Sequence, residues 1–186
     1  MVKGIKRQAD QITDEWLVLR SQEGSTGALN LLLRRWQPRL ASRAFQLTGD
    51  ADATSDIVQE ALIGMANGIR KLDDPVKFRS WAFTIVSNKS RDWIRCRAKD
   101  RTLPELNESD PSSIPETGDN PMSDQVREAL LFLEKGDREL LRLHYYEGLT
   151  LSEISAIDNI PSGTVKSRLF TAREHLRHQL NSNTHP

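Results

Sequence analysis

Three groups of polar side chains have the types and spacing for chemistry. The first lies near the C-terminus, in LTLSEISAIDNIPSGTVKSRLFTAR over 149–173. Val165, Leu169, Ala172 and Leu176 recur at helical steps of four, three and four and must share an inward face. Ser162, Thr164, Lys166, Ser167, Phe170, Thr171 and Arg173 then turn wholly or partly outward, with Arg168 as a further cation on the same helix. Lys and Arg suit phosphates or guanine edges, Ser and Thr suit either, and a phenyl ring suits a thymine methyl. An ordinary helical hairpin with a solvated face would look similar. Recognition of DNA is favoured because a capped first helix, a short polar turn and a basic second helix occur together.

The second group is Asp56-Ile57-Val58-Gln59-Glu60. On a helix Asp56 and Glu60 are four apart with Gln59 beside them, one acidic, hydrogen-bonding face. Taken alone it reads as solvated surface, and without a partner His or metal ligands it offers no acid–base catalysis. The third group is the stretch 77–99, where cations alternate with aromatics. Phe78, Trp81, Phe83 and Trp93 suit a core. Asn88, Asp92 and Arg95 beside an aromatic wall suit an unstacked base and its backbone. No Gly-rich phosphate loop or nucleophile constellation accompanies them, so no enzyme is expected. A single cysteine, Cys96, forbids an intramolecular disulfide, and four scattered histidines give no metal spacing; no metal or cofactor is expected.

Helices must position all three groups. Amphipathic segments are predicted over Asp14–Arg20, Thr26–Leu47, Ala53–Ile69 and Lys77–Lys99, broken by Thr48-Gly49-Asp50 and by Leu72-Asp73-Asp74-Pro75. Further helices are predicted over Ser123–Leu133 and Asp137–Glu147, the latter ended by Gly148. Thr150-Leu151-Ser152-Glu153 has the capping-box pattern, and its helix is expected to bury Leu151, Ile154 and Ile157. Asp158-Asn159 makes a turn, and Pro161-Ser162-Gly163 starts a last helix to about Leu180. Alternating apolar runs are missing, so the expected class is all-α.

Between the two sets lies a segment, 102–122, with four of the eight prolines and no apolar periodicity. It reads as a linker. Some 20 residues reach roughly 65 Å when extended, at about 3.3 Å each. The expected organisation is an N-terminal tail over 1–12, a helical domain over 13–101, the linker, and a helix-turn-helix domain over 123–182.

The formal net charge of zero is a cancellation. Residues 79–101 hold seven basic against two acidic side chains, and 161–180 hold four against one. Residues 102–124 hold six acidic and no basic ones. A phosphate backbone would feel these local fields rather than the sum. No run approaches the roughly 20 apolar residues of a membrane helix, and the polar first eleven residues lack a signal-peptide core. The expectation is a cytoplasmic protein without membrane insertion.

The order of an acidic D-x-x-Q-E face, the segment FRSWAFTIVSNKSRDWIRCRAK, an acidic linker and a GTVKSRLFTAR helix resembles the extracytoplasmic-function (ECF) sigma factors of bacterial RNA polymerase. The resemblance spans about 13–180. It implies two small domains, sigma-2-like and sigma-4-like, and promoter recognition lent to core polymerase. Asp56, Gln59 and Glu60 would dock on the clamp helices of the largest subunit, replacing the solvated-surface reading. The loop Leu72–Val76 and the next helix would open and bind the minus-ten element through Lys77, Arg79, Trp81, Asn88, Arg91, Asp92 and Arg95, with Asn88 helping to hold a flipped base. The last helix would read the minus-thirty-five element, chiefly through Lys166, Ser167, Phe170 and Thr171. Many family members carry Arg where Thr171 stands, so no promoter sequence is transferred. The linker would thread the polymerase channels, the flap of the second-largest subunit would be a further contact, and an anti-sigma factor, often membrane-bound in the family, is an implied partner. Two other readings remain at this point. A stand-alone helix-turn-helix regulator would bind an operator by itself, usually as a dimer. A protein-binding adaptor would leave both basic blocks unexplained.

Overall fold

A computed structural model describes residues 2–100 and 124–182. The linker expected over 102–122 lies outside the described residues. The chain divides into two compact units, Met1–Asp110 and Pro111–Pro186. Both are helical, and no strand occurs among the described residues.

The first unit contains α1 (Val2–Gln22), α2 (Thr26–Thr48), α3 (Ala51–Gly68) and α4 (Phe78–Asp100). The tail expected over 1–12 is instead helical from Val2, continuous with the short segment predicted from Asp14. Caps and breakers set the other ends. Ser25 Oγ accepts from the Ala28 N–H, and Gly49 closes α2 in the left-handed region at φ 65°, where an L side chain is strained. Asp50 then caps α3 by accepting from the Ala53 N–H. Two short 3-10 turns, Ile69–Lys71 and Pro75–Lys77, occupy the break before α4.

Apolar stripes from three helices build the core. Leu32, Trp36 and Leu40 of α2 meet Ile57, Ala61 and Met65 of α3 and Phe78, Phe83 and Val86 of α4, all buried. The Trp36 ring stands edge-on to Phe78 (5.1 Å) and Phe83 (5.5 Å), the favoured aromatic geometry. Buried ionic ties fix the helices further. Asp14, 1% exposed, accepts from Arg35 Nε of α2 (2.9 Å) and Arg79 Nη2 of α4 (3.2 Å). Arg43 of α2 donates to Ser87 Oγ of α4.

The second unit contains α5 (Asp124–Leu131), α6 (Lys135–Leu141), α7 (Leu151–Asp158) and α8 (Ser162–Ser182). The helix predicted over Asp137–Glu147 divides here: α6 passes into a π-helical stretch, Arg142–Tyr146. Leu143 accepts from the Leu149 N–H across Gly148, whose φ is 78°. The bond spans six positions, one more than a Schellman closure, as the preceding π turn requires, and the left-handed backbone at Gly148 favours glycine. The capping box is complete: Thr150 Oγ1 accepts from the Glu153 N–H, and Glu153 accepts from the Thr150 N–H. Asn159 turns the chain at φ 55°. Leu140, Leu143, Ile154, Ile157, Val165, Leu169 and Ala172 make the core. Leu151 and Leu176, expected in it, are only half-buried.

Candidate nucleic-acid interface

In the first unit α3 and α4 pack side by side, and each keeps a polar face outward. On α3, Ile57, Val58 and Ala61 are buried, which leaves Asp56, Gln59 and Glu60 exposed. Glu60 does not face solvent alone: its Oε2 is 2.8 Å from Lys89 Nζ of α4. The hydrogen bond and charge of Glu60 hold the Lys89 ammonium above its ordinary pKa. Gln59 also lines a shallow groove with Gln37, Ala41, Ser55 and Val58.

On α4 the outward stripe is Asn88, Arg91, Asp92 and Arg95. Arg91 Nη1 donates to Asn88 Oδ1 (2.9 Å), which occupies the carbonyl side of that amide and leaves its NH2 as the group offered. Arg95 pairs with Asp92. Lys77 is exposed where the 3-10 turn enters α4. Trp81 is half-buried, tilted against Phe78 at 6.0 Å. It lies so close to Gly68 that a Cβ there would stand 2.8 Å from Trp81 Cζ2. Trp93 carries Arg97 over its ring at 4.8 Å, and Arg97 reaches Asp50 at the start of α3.

Arg79 is a correction. The family resemblance implies a minus-ten contact for it, but it is 8% exposed and bonded to Asp14. Moving it to a phosphate would take one of the cations away from a buried carboxylate, so it is placed as a structural cation. The missed signal is on α1, where Asp14, Leu17, Val18 and Ser21 form one buried stripe. A carboxylate on an apolar face requires a buried cation elsewhere.

In the second unit α8 buries Val165, Leu169 and Ala172 and exposes Ser162, Thr164, Lys166, Ser167, Phe170, Thr171 and Arg173. Ser167 Oγ donates to the Thr164 carbonyl. Phe170 is 58% exposed on this face. Arg173 lies over its ring at 6.0 Å and donates to the Tyr145 hydroxyl (3.2 Å). Tyr145 is a residue the sequence reading passes over; the π stretch brings it outward to α8. Arg168 is the second correction. Its Nε and Nη2 both donate to Asp137 of α6, at 3.1 and 2.8 Å, so it fastens α8 to its own domain while its side chain stays 40% exposed.

Buried charge supports this platform. Arg142 donates to both oxygens of Glu139 and to Glu147 Oε1. Burial alone would lower the Arg142 pKa; the two carboxylates outweigh it and raise it. Among the described residues no group of three or more His, Cys, Asp or Glu is placed to hold a metal ion, and no helix is long and apolar enough to cross a membrane. Cys96 is exposed.

The described domains match known ones. The sigma-70 region 2 model matches residues 32–100, and the sigma-70 region 4 model matches residues 123–176. The ECF RNA polymerase sigma-E factor of Escherichia coli (strain K12) is 28% identical over 179 residues, 89% of this chain and 93% of that protein. Its namesake from Haemophilus influenzae is 27% identical over 185 residues, 92% and 97% of the two chains. Among solved structures, the sigma factor RpoE of Bartonella quintana, in complex with the anti-sigma factor NepR, superposes with a TM-score of 0.55 at 26% identity, covering 81% of this chain and 93% of that one. CnrH, in complex with the cytosolic domain of CnrY, shares the fold with a TM-score of 0.54 at 22% identity, covering 91% and 98%.

Proposed function

The chain belongs to the ECF sigma factors and is an alternative sigma factor, a transcription initiation factor, and from that membership we propose how its surfaces divide the work. Asp56, Gln59 and Glu60 dock on the clamp helices of the polymerase's largest subunit. Lys77, Trp81, Asn88, Arg91, Asp92 and Arg95 take the minus-ten strand as it opens. Unstacking costs a few kcal/mol per step, and a pocket for the extruded base with cations along the released strand offsets it. Lys166, Ser167, Phe170, Thr171 and Arg173, with Ser162 and Thr164 at the helix start, read the minus-thirty-five element, and the second domain contacts the flap. Relatives crystallised with anti-sigma factors support such a regulator for this chain too, acting in the cytoplasm or at the membrane where the partner resides.

One observation carries the reading. A single four-helix unit presents an acidic docking face on α3 and a cationic, amide-bearing stripe on the adjoining α4. A stand-alone regulator would use the first unit as a sensor or dimeriser, and the region 2 match over residues 32–100 supports the sigma reading instead; the alternative is not favoured. The test is initiation by purified core polymerase supplemented with this protein, on DNA from upstream of its own gene and candidate target genes. Failure on all of them, with a folded protein, would remove the proposal. The double change Asp56→Ala with Glu60→Ala should weaken core binding and leave the helical circular dichroism intact. Unchanged affinity would take α3 out of the interface.

A further inference from the structure

Lys89 has no task in the division of surfaces above, yet it sits on the edge of the α4 stripe. Its sequence neighbour is Asn88, and Asp92 lies one helical turn on. What holds it back is Glu60, 2.8 Å away on α3. The two side chains are 42% and 61% exposed, so neither is desolvated. Pairs of this kind contribute little and exchange partners easily.

We propose that Lys89 is a further phosphate-binding residue of the minus-ten surface, and that Glu60 masks it until a partner occupies the α3 face. The inference rests on the reading that α3 docks on polymerase and α4 takes the strand. A donor group on the partner that engages Glu60 neutralises the charge that retains Lys89. Asp92 is the other carboxylate whose charge acts on Lys89, and it is already engaged by Arg95. The released ammonium therefore has the incoming backbone as its best acceptor. Coupling of this form is reciprocal. Docking at α3 strengthens the hold on the strand, and a strand that holds Lys89 leaves Glu60 free for docking. The unbound protein then has one cation fewer for stray DNA.

Lysine acetylation followed by peptide mass spectrometry reads the mask directly. Acetylation of Lys89 would be measured in the free full chain, with purified core polymerase, and with core plus an oligothymidylate single strand. In the free chain Glu60→Gln should raise the Lys89 rate about two- to fivefold, the span expected for an exposed ion pair. Core should raise the wild-type rate to about that of the variant, and the oligonucleotide should lower it again. A rate indifferent to Glu60→Gln, or one that core alone lowers, overturns the proposal. A second readout is the salt dependence of the holoenzyme on the same strand. Lys89→Gln should flatten its slope by about 0.7, one single-strand phosphate contact; an unchanged slope overturns the assignment of Lys89. Core affinity of Asp56→Ala separates the two failures. If that affinity equals wild type, the docking reading falls, while the free-chain comparison still decides whether Glu60 masks Lys89.

Discussion

Asp14 does more for this protein than any residue of the outer faces, because it is a carboxylate in a core. Arg35 and Arg79 converge on it, with Arg39 Nη1 at 3.8 Å. Removing one member of such a cluster leaves uncompensated charge behind. Asp14→Ala should cost about 3–5 kcal/mol, read as a lowered midpoint in urea; a loss below about 1 kcal/mol would mean the arginines find other acceptors. Asp50 allows a pH prediction. The Ala53 N–H first, and then Arg97, hold its carboxyl below the usual carboxylate range. A depressed pKa in the folded state contributes stability above the unfolded value of about 3.9, and that stability is lost as pH falls through the folded one. Asp50→Asn keeps a capping oxygen and cannot titrate. Its stability deficit should be full near pH 7 and close in acid; a deficit that ignores pH would acquit the pairing. Both residues show the limit of reading a sequence. Asp50, read in the sequence only as part of a break, has its capping partner three residues away, within local reach. Asp14 has no such local partner in Arg79, which is 65 positions distant.

Among the elements, the helix-turn-helix was the most legible. Its capping box, its turn at Asn159 and its stripe at Val165, Leu169 and Ala172 are all local, decided within a few residues. Thr150→Ala should lower the stability of the second unit by about 1 kcal/mol, visible as a lower melting temperature of that unit. Within α8 the outer residues separate by role. Lys166→Ala should weaken DNA binding alike on all sequences and reduce the salt slope by about 1. Phe170→Ala should instead flatten preference among minus-thirty-five variants while the slope stays. If the two variants behave identically, α8 contacts backbone only. The break between α6 and α7 was the least legible element. Leu140, Leu141 and Leu143 suggested one helix over 137–147, but the chain widens to a π turn at Arg142–Tyr146. Such turns are rare, so no local pattern predicts them. This one matters, since it sets Tyr145 against Arg173. Tyr145→Phe should keep the packing and lose the hydroxyl acceptor; Arg173, no longer anchored, should then discriminate less between promoter variants.

For the whole molecule, the division into two units follows from where apolar residues can be buried. Four prolines and five acidic residues between the domains leave nothing there to form a core. Each unit carries its own buried set, so cleavage within 102–122 should yield two fragments that each melt cooperatively. Initiation should fall sharply when the fragments are supplied separately, because the tether supplies an effective concentration that free fragments lack. Equal initiation by the pair would show that the tether is passive. The sequence by itself determined the helical class, the caps, the two basic blocks and the family, because these depend on composition and on contacts within one or two turns. Only the tertiary structure decided which cations reach the surface. Arg79 and Arg168 are cations on the same helices as Arg91 and Arg173, yet Asp14 and Asp137 claim the first two. A cation's availability is set by the carboxylates that folding brings near it, and those lie 65 and 31 positions away in the chain.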